Sequence, residues 1–296
     1  MSRIDLHIHS CYSGDGELTP KEIVTLAKRQ NMSVISITDH NSVRAVPEAL
    51  AVADGLTVLP GVELDCTYGG KGFHLLGYGF NFTLEEFPAI EADLLRQEQA
   101  AGAEKVRLFR EATGLPVNTD QVLAAAPDGV VTGELIAELL LAREDAGRYE
   151  LLLPYLPGGE KSDMPNVRFY WDFFSEGKVA YIPIRYLSLP DAVSLIHRAG
   201  GYSVLAHPGQ NLAGDDMLLP GILSCGVTGI EAFSSYHGAE TAAHYLDAAE
   251  QNHLLVTCGS DFHGKHKPNI TLGGHGAAWD DEKLLAGLSP WLSGWA

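Results

Sequence analysis

Cysteine is scarce and scattered: four thiols in 296 residues, Cys11, Cys66, Cys225 and Cys258, with no CxxC pair. That spacing excludes a disulfide framework and fits reduced thiols in a cytoplasmic protein. Basic residues are also few. Lys and Arg total 20 against 38 Asp and Glu, a formal net charge of −18 with histidine neutral. The field of the whole chain therefore repels duplex DNA and anionic membranes. Uncharged apolar runs of about 18 residues, the length needed to span a bilayer, are missing. At the start of the chain Arg3, Asp5, His7 and His9 interrupt any apolar core of a secretory signal. Neither an internal repeat nor a low-complexity tract is found. What remains is ordinary globular composition, 46% hydrophobic and 20% charged, which excludes disordered, collagen-like and coiled-coil chains. The length admits two ordinary domains or one barrel carrying an insertion.

Short apolar runs of strand length recur at Ile4 to Ile8, Val34 to Thr38, Thr57 to Leu59, Phe73 to Leu76, Ser203 to Ala206, Val227 to Ile230 and Leu254 to Cys258. Helical patterns lie between them, so the class is α/β with a parallel sheet or barrel. Thr19, Pro20 and Glu22 form a capping box opening a helix to about Gln30, and Ser188, Pro190 and Asp191 open another through Ala199. Residues 83–180 break the rhythm with long helical patterns over Glu85 to Glu111 and Gly133 to Arg148, which predicts an inserted helical subdomain. The barrel then comprises residues 1–82 and 181–296, and Trp279, Trp291 and Trp295 predict a C-terminal cap over apolar surface.

The chemistry gathers at strand ends. His7 and His9 are two apart in a predicted strand, so both rings point the same way, as a metal pair requires. Asp261 and His263 repeat that spacing after Leu254 to Cys258. His40, Glu63, His74 and His207 each sit in or just beyond another strand-like run, and Asp15 lies in the loop after the first. In a (β/α) barrel the carboxyl ends of the strands converge on one face, where these side chains can meet.

In these motifs the chain resembles the PHP (polymerase and histidinol phosphatase) family of metal-dependent phosphoesterases. They read Asp5-Leu6-His7-Ile8-His9-Ser10, Ile37-Thr38-Asp39-His40, Gly61-Val62-Glu63, Leu205-Ala206-His207-Pro208 and Gly259-Ser260-Asp261-Phe262-His263. The resemblance implies a distorted seven-stranded (β/α) barrel with a trinuclear site. One ion would take His7, His9, Glu63 and Asp261, a second Glu63, His74 and His207, and a third Asp15, His40 and His263. It is similar to the stand-alone members with a helical insertion, which act on nucleotide phosphates or short RNA. Two departures stand out. The loop Ser13-Gly14-Asp15-Gly16 is one residue longer than the Ser-Asp-Gly common in the family, and Val131 to Ala137 replaces a Gly-Arg-Pro-His type segment. Substrate contacts from that segment are therefore not transferred.

Mixed imidazole and carboxylate ligands suit divalent Mn, Fe or Zn better than Mg or Ca. Such ions supply a hydroxide to attack phosphorus and act as Lewis acids on phosphoryl oxygens. Arg185 is a candidate phosphate clamp and His237 a candidate for leaving-group protonation or phosphate binding, each weighed against an ordinary surface role. Asp39 is expected to orient a ligand imidazole. His197, His244 and His253 read as solvated helix residues. His266 and His275 are weaker phosphate candidates, and Cys11 and Cys258 read as buried fillers. The expected activity is metal-dependent hydrolysis of a small phosphorylated substrate, a nucleotide phosphate or short oligoribonucleotide. The alternatives are a phosphatase of a non-nucleotide metabolite (sugar or histidinol-phosphate type), a non-catalytic metal-bearing regulatory module and, more weakly, an amide hydrolase.

Overall fold

The computed structural model describes residues 2–214 and 216–292. The strands are β1 (Ile4–Ile8), β2 (Val34–Ile37), β3 (Thr57–Val58), β4 (Gly61–Tyr68), β5 (Lys71–Tyr78), β6 (Leu187–Ser188), β7 (Tyr202–Leu205), β8 (Gly229–Ser234) and β9 (Leu255–Gly259). The helices are α1 (Pro20–Arg29), α2 (Ala45–Ala51), α3 (Glu86–Thr113), α4 (Thr119–Ala125), α5 (Gly133–Leu141), α6 (Pro165–Phe173), α7 (Leu189–Arg198), α8 (Pro208–Leu212), α9 (Leu219–Ser224), α10 (Ala239–Gln251) and α11 (Asp281–Leu292). No described helix is long and apolar enough to cross a membrane.

Two compact units are present. The first holds residues up to Ala89, Tyr186–His263 and the chain from Ile270 onward; the second holds Ile90–Arg185 and Gly264–Asn269.

In the first unit the strands form two sheets. A parallel three-stranded sheet runs β1-β2-β3, and a six-stranded sheet runs β6-β4-β5-β7-β8-β9. Single parallel bridges, Ile8 to Phe262 and His40 to Glu63, link segments of the two. The all-parallel reading needs correcting, because β5 pairs antiparallel with both β4 and β7. The cause is local: Tyr68 pairs with Lys71 across Gly69 and Gly70, whose φ values are 58° and 81°. A two-residue turn with both centres left-handed closes an antiparallel hairpin and is open to glycine at no steric cost. The seven expected strand runs thus become nine described strands in two sheets, with no closed barrel among them.

Capping follows the sequence closely. Thr19 accepts from the Glu22 N–H while Glu22 reaches back to the Thr19 N–H, with Pro20 at the tolerated first position of α1. Ser188 caps α7 the same way, accepting from the Asp191 N–H. One apolar core joins Leu6, Leu76, Tyr78, Val204 and Phe233 to Leu284, Leu288 and Trp291 of α11. Trp291 stacks on Tyr202 at 4.6 Å, and Trp279 meets Phe233 edge-on at 5.6 Å. Trp295 lies outside the described residues. A second core packs Ile23, Val24 and Ala27 of α1 and Ala45 and Ala49 of α2 on Ile8, Ile35 and Ile37.

The second unit has its own core, in which Val106, Phe109, Val131, Ile136, Leu140, Phe169 and Phe174 are buried together. The pattern over Gly133 to Arg148 is one helix only as far as Leu141, followed by a separate single turn at Ala146–Arg148. The apolar stripe of α5 ends there, and the turn between carries the Arg143–Asp145 ion pair.

Candidate metal centre

The strand-end side chains in the first unit come together. His7 Nε2 and His9 Nε2 are 3.1 Å apart, and each lies 3.1 Å from Glu63 Oε2. Asp261 Oδ1 is 3.1 Å from His9 Nε2 and 3.4 Å from His7 Nε2. On the other side of the same carboxylate, Glu63 Oε1 lies 2.9 Å from His74 Nδ1 and 3.1 Å from His207 Nε2. The remaining pair, His263 Nε2 and Asp15 Oδ2, is 3.0 Å apart, and the His9 and His263 rings stack at 4.0 Å. Three groups have ligand atoms all within 4.8 Å of one another: His7, His9, Glu63, Asp261; His9, Asp15, His40, His263; and His40, Glu63, His74.

Burial makes this convergence costly unless positive charge sits within it. Neutral rings at His7 and His9 would each turn an Nε2 lone pair toward the Glu63 oxygen, because their Nδ1 atoms are engaged elsewhere. His7 Nδ1 is 3.0 Å from Glu231 Oε1, and His9 Nδ1 is 2.8 Å from Ser13 Oγ. Lone pairs aimed at one another repel until protons or a cation are placed between them. Without metal, protons do this. Burial acts to lower the His7 value, but the Glu63, Glu231 and Asp261 carboxylates more than offset it and hold the imidazole well above its usual range. His40 is likewise driven well above, burial being outweighed by Asp65 and Glu63. The same contacts hold Glu63 well below the usual carboxylate range against burial, through His7, His74 and His40. Burial opposes but does not prevent a low value for Asp15, which His263 pulls down. Asp15 Oδ1 and His207 Nδ1 are buried with no hydrogen-bond partner among the described residues. Imidazole and carboxylate donors in this arrangement fit divalent ions of intermediate hardness.

The chain bends sharply to deliver these groups. Asp261 and His207 hold φ of 57° and 21°, a conformation that costs non-glycine residues about 1–3 kcal/mol and persists only where the surroundings enforce it. At Asp261 the enforcement is visible. Asp5 accepts hydrogen bonds from the Ser260 N–H at 2.9 Å, the Ser260 hydroxyl at 2.6 Å and the Gly273 N–H at 2.7 Å, while the Asp261 N–H donates to the His7 carbonyl at 2.8 Å. Gly259 must be glycine for the same reason: a Cβ there would lie 2.1 Å from His7 Cβ and 2.5 Å from Glu231 Oε1.

Among the described residues Asp39 makes no hydrogen bond to an imidazole. Its carboxylate accepts from the Ser10 N–H at 2.6 Å and the Ser10 hydroxyl at 2.7 Å, and it also bonds Ser13, whose hydroxyl meets His9. Its contact with the His9 ring therefore runs through a serine, and burial raises its pKa. His237 is turned inward: Nδ1 donates to the Ala232 carbonyl at 2.9 Å and Nε2 accepts from the Gly209 N–H at 3.0 Å. Burial lowers its pKa, and both ring nitrogens are engaged. Arg185 is exposed in the second unit, its main chain paired with the Gln97 amide.

Three readings outside that set are corrected. His275 is buried, donating to the Ile4 carbonyl and accepting from the Ala277 N–H, which makes it a brace rather than a phosphate contact. His253 follows α10 in a left-handed turn rather than standing on a helix. Cys258 is buried, but Cys11 is exposed.

Several groups in the network carry no sequence expectation. Glu231 is fully buried and accepts from the His207 N–H at 2.8 Å as well as facing His7. Its signal was available, since it is a charge inside the otherwise apolar run of β8. Asp65 lies 3.1 Å from His40 Nδ1, and the Tyr236 hydroxyl donates to Asp261 Oδ2 at 2.6 Å. Asp65 repeats the two-residue strand step from Glu63, whereas Tyr236 has no local pattern that marks it.

The chain is also similar to known proteins. The chain is 31% identical over 274 residues to the 3′,5′-nucleoside bisphosphate phosphatase of Chromobacterium violaceum, spanning 89% of this chain and 88% of that protein. It is 27% identical over 266 residues to a 5′-3′ exoribonuclease of Haemophilus influenzae, spanning 88% and 90%. A solved structure of a candidate metal-dependent phosphoesterase from Bifidobacterium adolescentis is similar with a TM-score of 0.71 at 26% identity, covering 96% of each chain. The PHP domain matches residues 5–147, a stretch that includes the His7 and His9 pair, His40, Glu63 and His74. Taken with the similarity that extends over most of the Chromobacterium protein, this places the chain in the PHP domain family.

Proposed function

We propose that the chain hydrolyses a nucleotide phosphate or a short oligoribonucleotide at a trinuclear metal site. The broader class, a metal-dependent phosphoester hydrolase, is that of its family and of the relatives named above. The single observation carrying the finer reading is the use of one buried carboxylate from both sides: Glu63 Oε2 faces His7 and His9 while Oε1 faces His74 and His207.

The assignment of ligands is His7, His9, Glu63 and Asp261 for one ion, Glu63, His74 and His207 for a second, and Asp15, His40 and His263 for a third. Divalent ions there supply Lewis acidity toward phosphoryl oxygens and activate water. The protein's own part is orientation. Glu231 and Ser13 hold the Nδ1 sides of His7 and His9, so both rings offer Nε2. Tyr236 occupies Asp261 Oδ2, which leaves Oδ1 for the cluster. Exposure separates the two sides of the centre: the His7, His9 and Glu63 side chains are at most 1% exposed, whereas His40, Asp15 and His74 reach 24%, 26% and 32%. Substrate therefore approaches on the side of His40, Asp15 and His74. We read the two linked sheets as a distorted barrel that gathers the ligands on one face. No proton-transfer role is assigned to His237, because both ring nitrogens are engaged.

The test is a screen of Mn-loaded protein against nucleoside mono- and bisphosphates, short oligoribonucleotides and sugar phosphates, beside His9→Ala and Asp261→Asn. Nucleotide or oligonucleotide turnover, abolished in both folded variants, is expected. Exclusive turnover of sugar phosphates would replace the substrate reading, and robust turnover by both variants would remove the site.

A further inference from the structure

Asp65 stands two residues beyond Glu63 on β4, so strand alternation sends both carboxylates to one face. Its partner across the hairpin is His74. Asp65 Oδ1 accepts a hydrogen bond from His40 Nδ1 at 3.1 Å and lies 3.4 Å from His74 Nε2. The second oxygen accepts from Asn41 Nδ2 at 2.7 Å, and the Asn41 side-chain oxygen accepts the Asp65 N–H at 3.0 Å. This reciprocal clamp fixes the plane of the carboxylate. Asn41 holds φ of 54°, a left-handed conformation that asparagine tolerates better than most residues.

We infer that Asp65, clamped by Asn41, is a positioning residue that couples two metal-ligand groups from a single oxygen, holding His40 by a hydrogen bond to Nδ1 and drawing the Nε2 side of His74 toward it by charge. The inference rests on the reading above that these histidines carry metal. With Nδ1–H on Asp65, His40 keeps Nε2 as its lone-pair nitrogen. His74 keeps Nδ1, the atom 2.9 Å from Glu63 Oε1. A flip of either ring would aim an N–H into the ligand group, and partners of this kind typically govern metal affinity by about 10- to 100-fold.

The experiment compares wild-type protein with Asp65→Ala, Asp65→Asn and Asn41→Ala. Each is stripped, titrated with Mn2+ and dialysed; bound Mn is counted by elemental analysis and free Mn2+ followed by paramagnetic resonance. Asp65→Ala is expected to keep the wild-type circular dichroism, retain fewer ions and need roughly 10- to 100-fold more free Mn2+ for half-saturation. Asp65→Asn, which keeps an acceptor oxygen, recovers part of the loss, and Asn41→Ala shows a smaller loss in the same direction. Wild-type stoichiometry and half-saturation in Asp65→Ala overturn the inference. Should that variant not fold, unchanged Mn2+ binding in Asn41→Ala overturns it instead. Because binding is read without substrate, a wild-type protein that takes up Mn2+ yet cleaves no phosphoester removes the functional reading and not this one.

Discussion

Replacing Glu231 with Gln is the most informative perturbation of the centre, because it changes one buried oxygen to an amide at nearly constant volume. In the native arrangement Oε1 faces His7 Nδ1 at 3.0 Å and Oε2 accepts the His207 N–H at 2.8 Å. The amide has one acceptor for two donors. If its oxygen stays with His207, the NH2 meets His7 Nδ1 and the ring proton must move to Nε2, the atom 3.1 Å from both His9 Nε2 and Glu63 Oε2. If the oxygen stays with His7, the NH2 opposes a main-chain N–H with no room for water, since Glu231 is fully buried. In the first case the proton occupies the nitrogen aimed at Glu63 Oε2 and must be displaced by any metal; in the second a buried donor is left without an acceptor, which costs about 1–3 kcal/mol. Expressed in metal affinity, that is a loss of roughly 5- to 150-fold. Urea unfolding of the metal-free protein and Mn2+ titration of the folded protein measure the two consequences separately. Wild-type values in both would show that Glu231 does not set the His7 tautomer, and the orientation argument would fail.

Metal loading should release protons near neutral pH, and affinity should fall as pH is lowered. His7 and His40 lie well above the usual imidazole value, so the folded metal-free protein binds their protons where free imidazoles would not. Their stabilisation is complete below about 6.5 and is lost as pH rises through the raised values, whereas that of Glu63 and Asp15 is present above about 4 and lost on acidification. Calorimetric Mn2+ titration in two buffers of different ionisation enthalpy gives the proton count; zero release would contradict the cluster electrostatics. In the second unit, Phe109→Ala removes a buried ring that meets Phe169, Phe173 and Phe174, each at 5.3 Å. A loss of about 3–5 kcal/mol is expected in urea unfolding, and a change under about 1 kcal/mol would mean that this core is not packed as described.

Much of the first unit was legible because its signals are local. A short apolar run of strand length placed β1 at Ile4–Ile8, and the Thr19 to Glu22 capping box opened α1 where expected. The β4–β5 hairpin is less legible, because the apolar run after Lys71 reads equally well as a parallel strand unless the Gly69-Gly70 pair is weighed as a turn. The place of His237 just beyond the β8 run, and of His275 beside lysines, does not show how either ring is turned. Their inward turn depends on the carbonyls of Ala232 and Ile4 and the amides of Gly209 and Ala277, and a main-chain partner leaves no trace in residue identity.

Residue spacing by itself determined which side chains are candidates to meet: a two-residue step on a strand aims His7 and His9 together wherever that strand lies. Only the tertiary structure decided how each ring is turned. Glu231 and Asp65 lie far along the chain from His7 and His40, and even Ser13, four residues beyond His9, meets its ring only through the fold of the loop; an imidazole takes its tautomer from the partner on its far nitrogen, which residue spacing does not reveal.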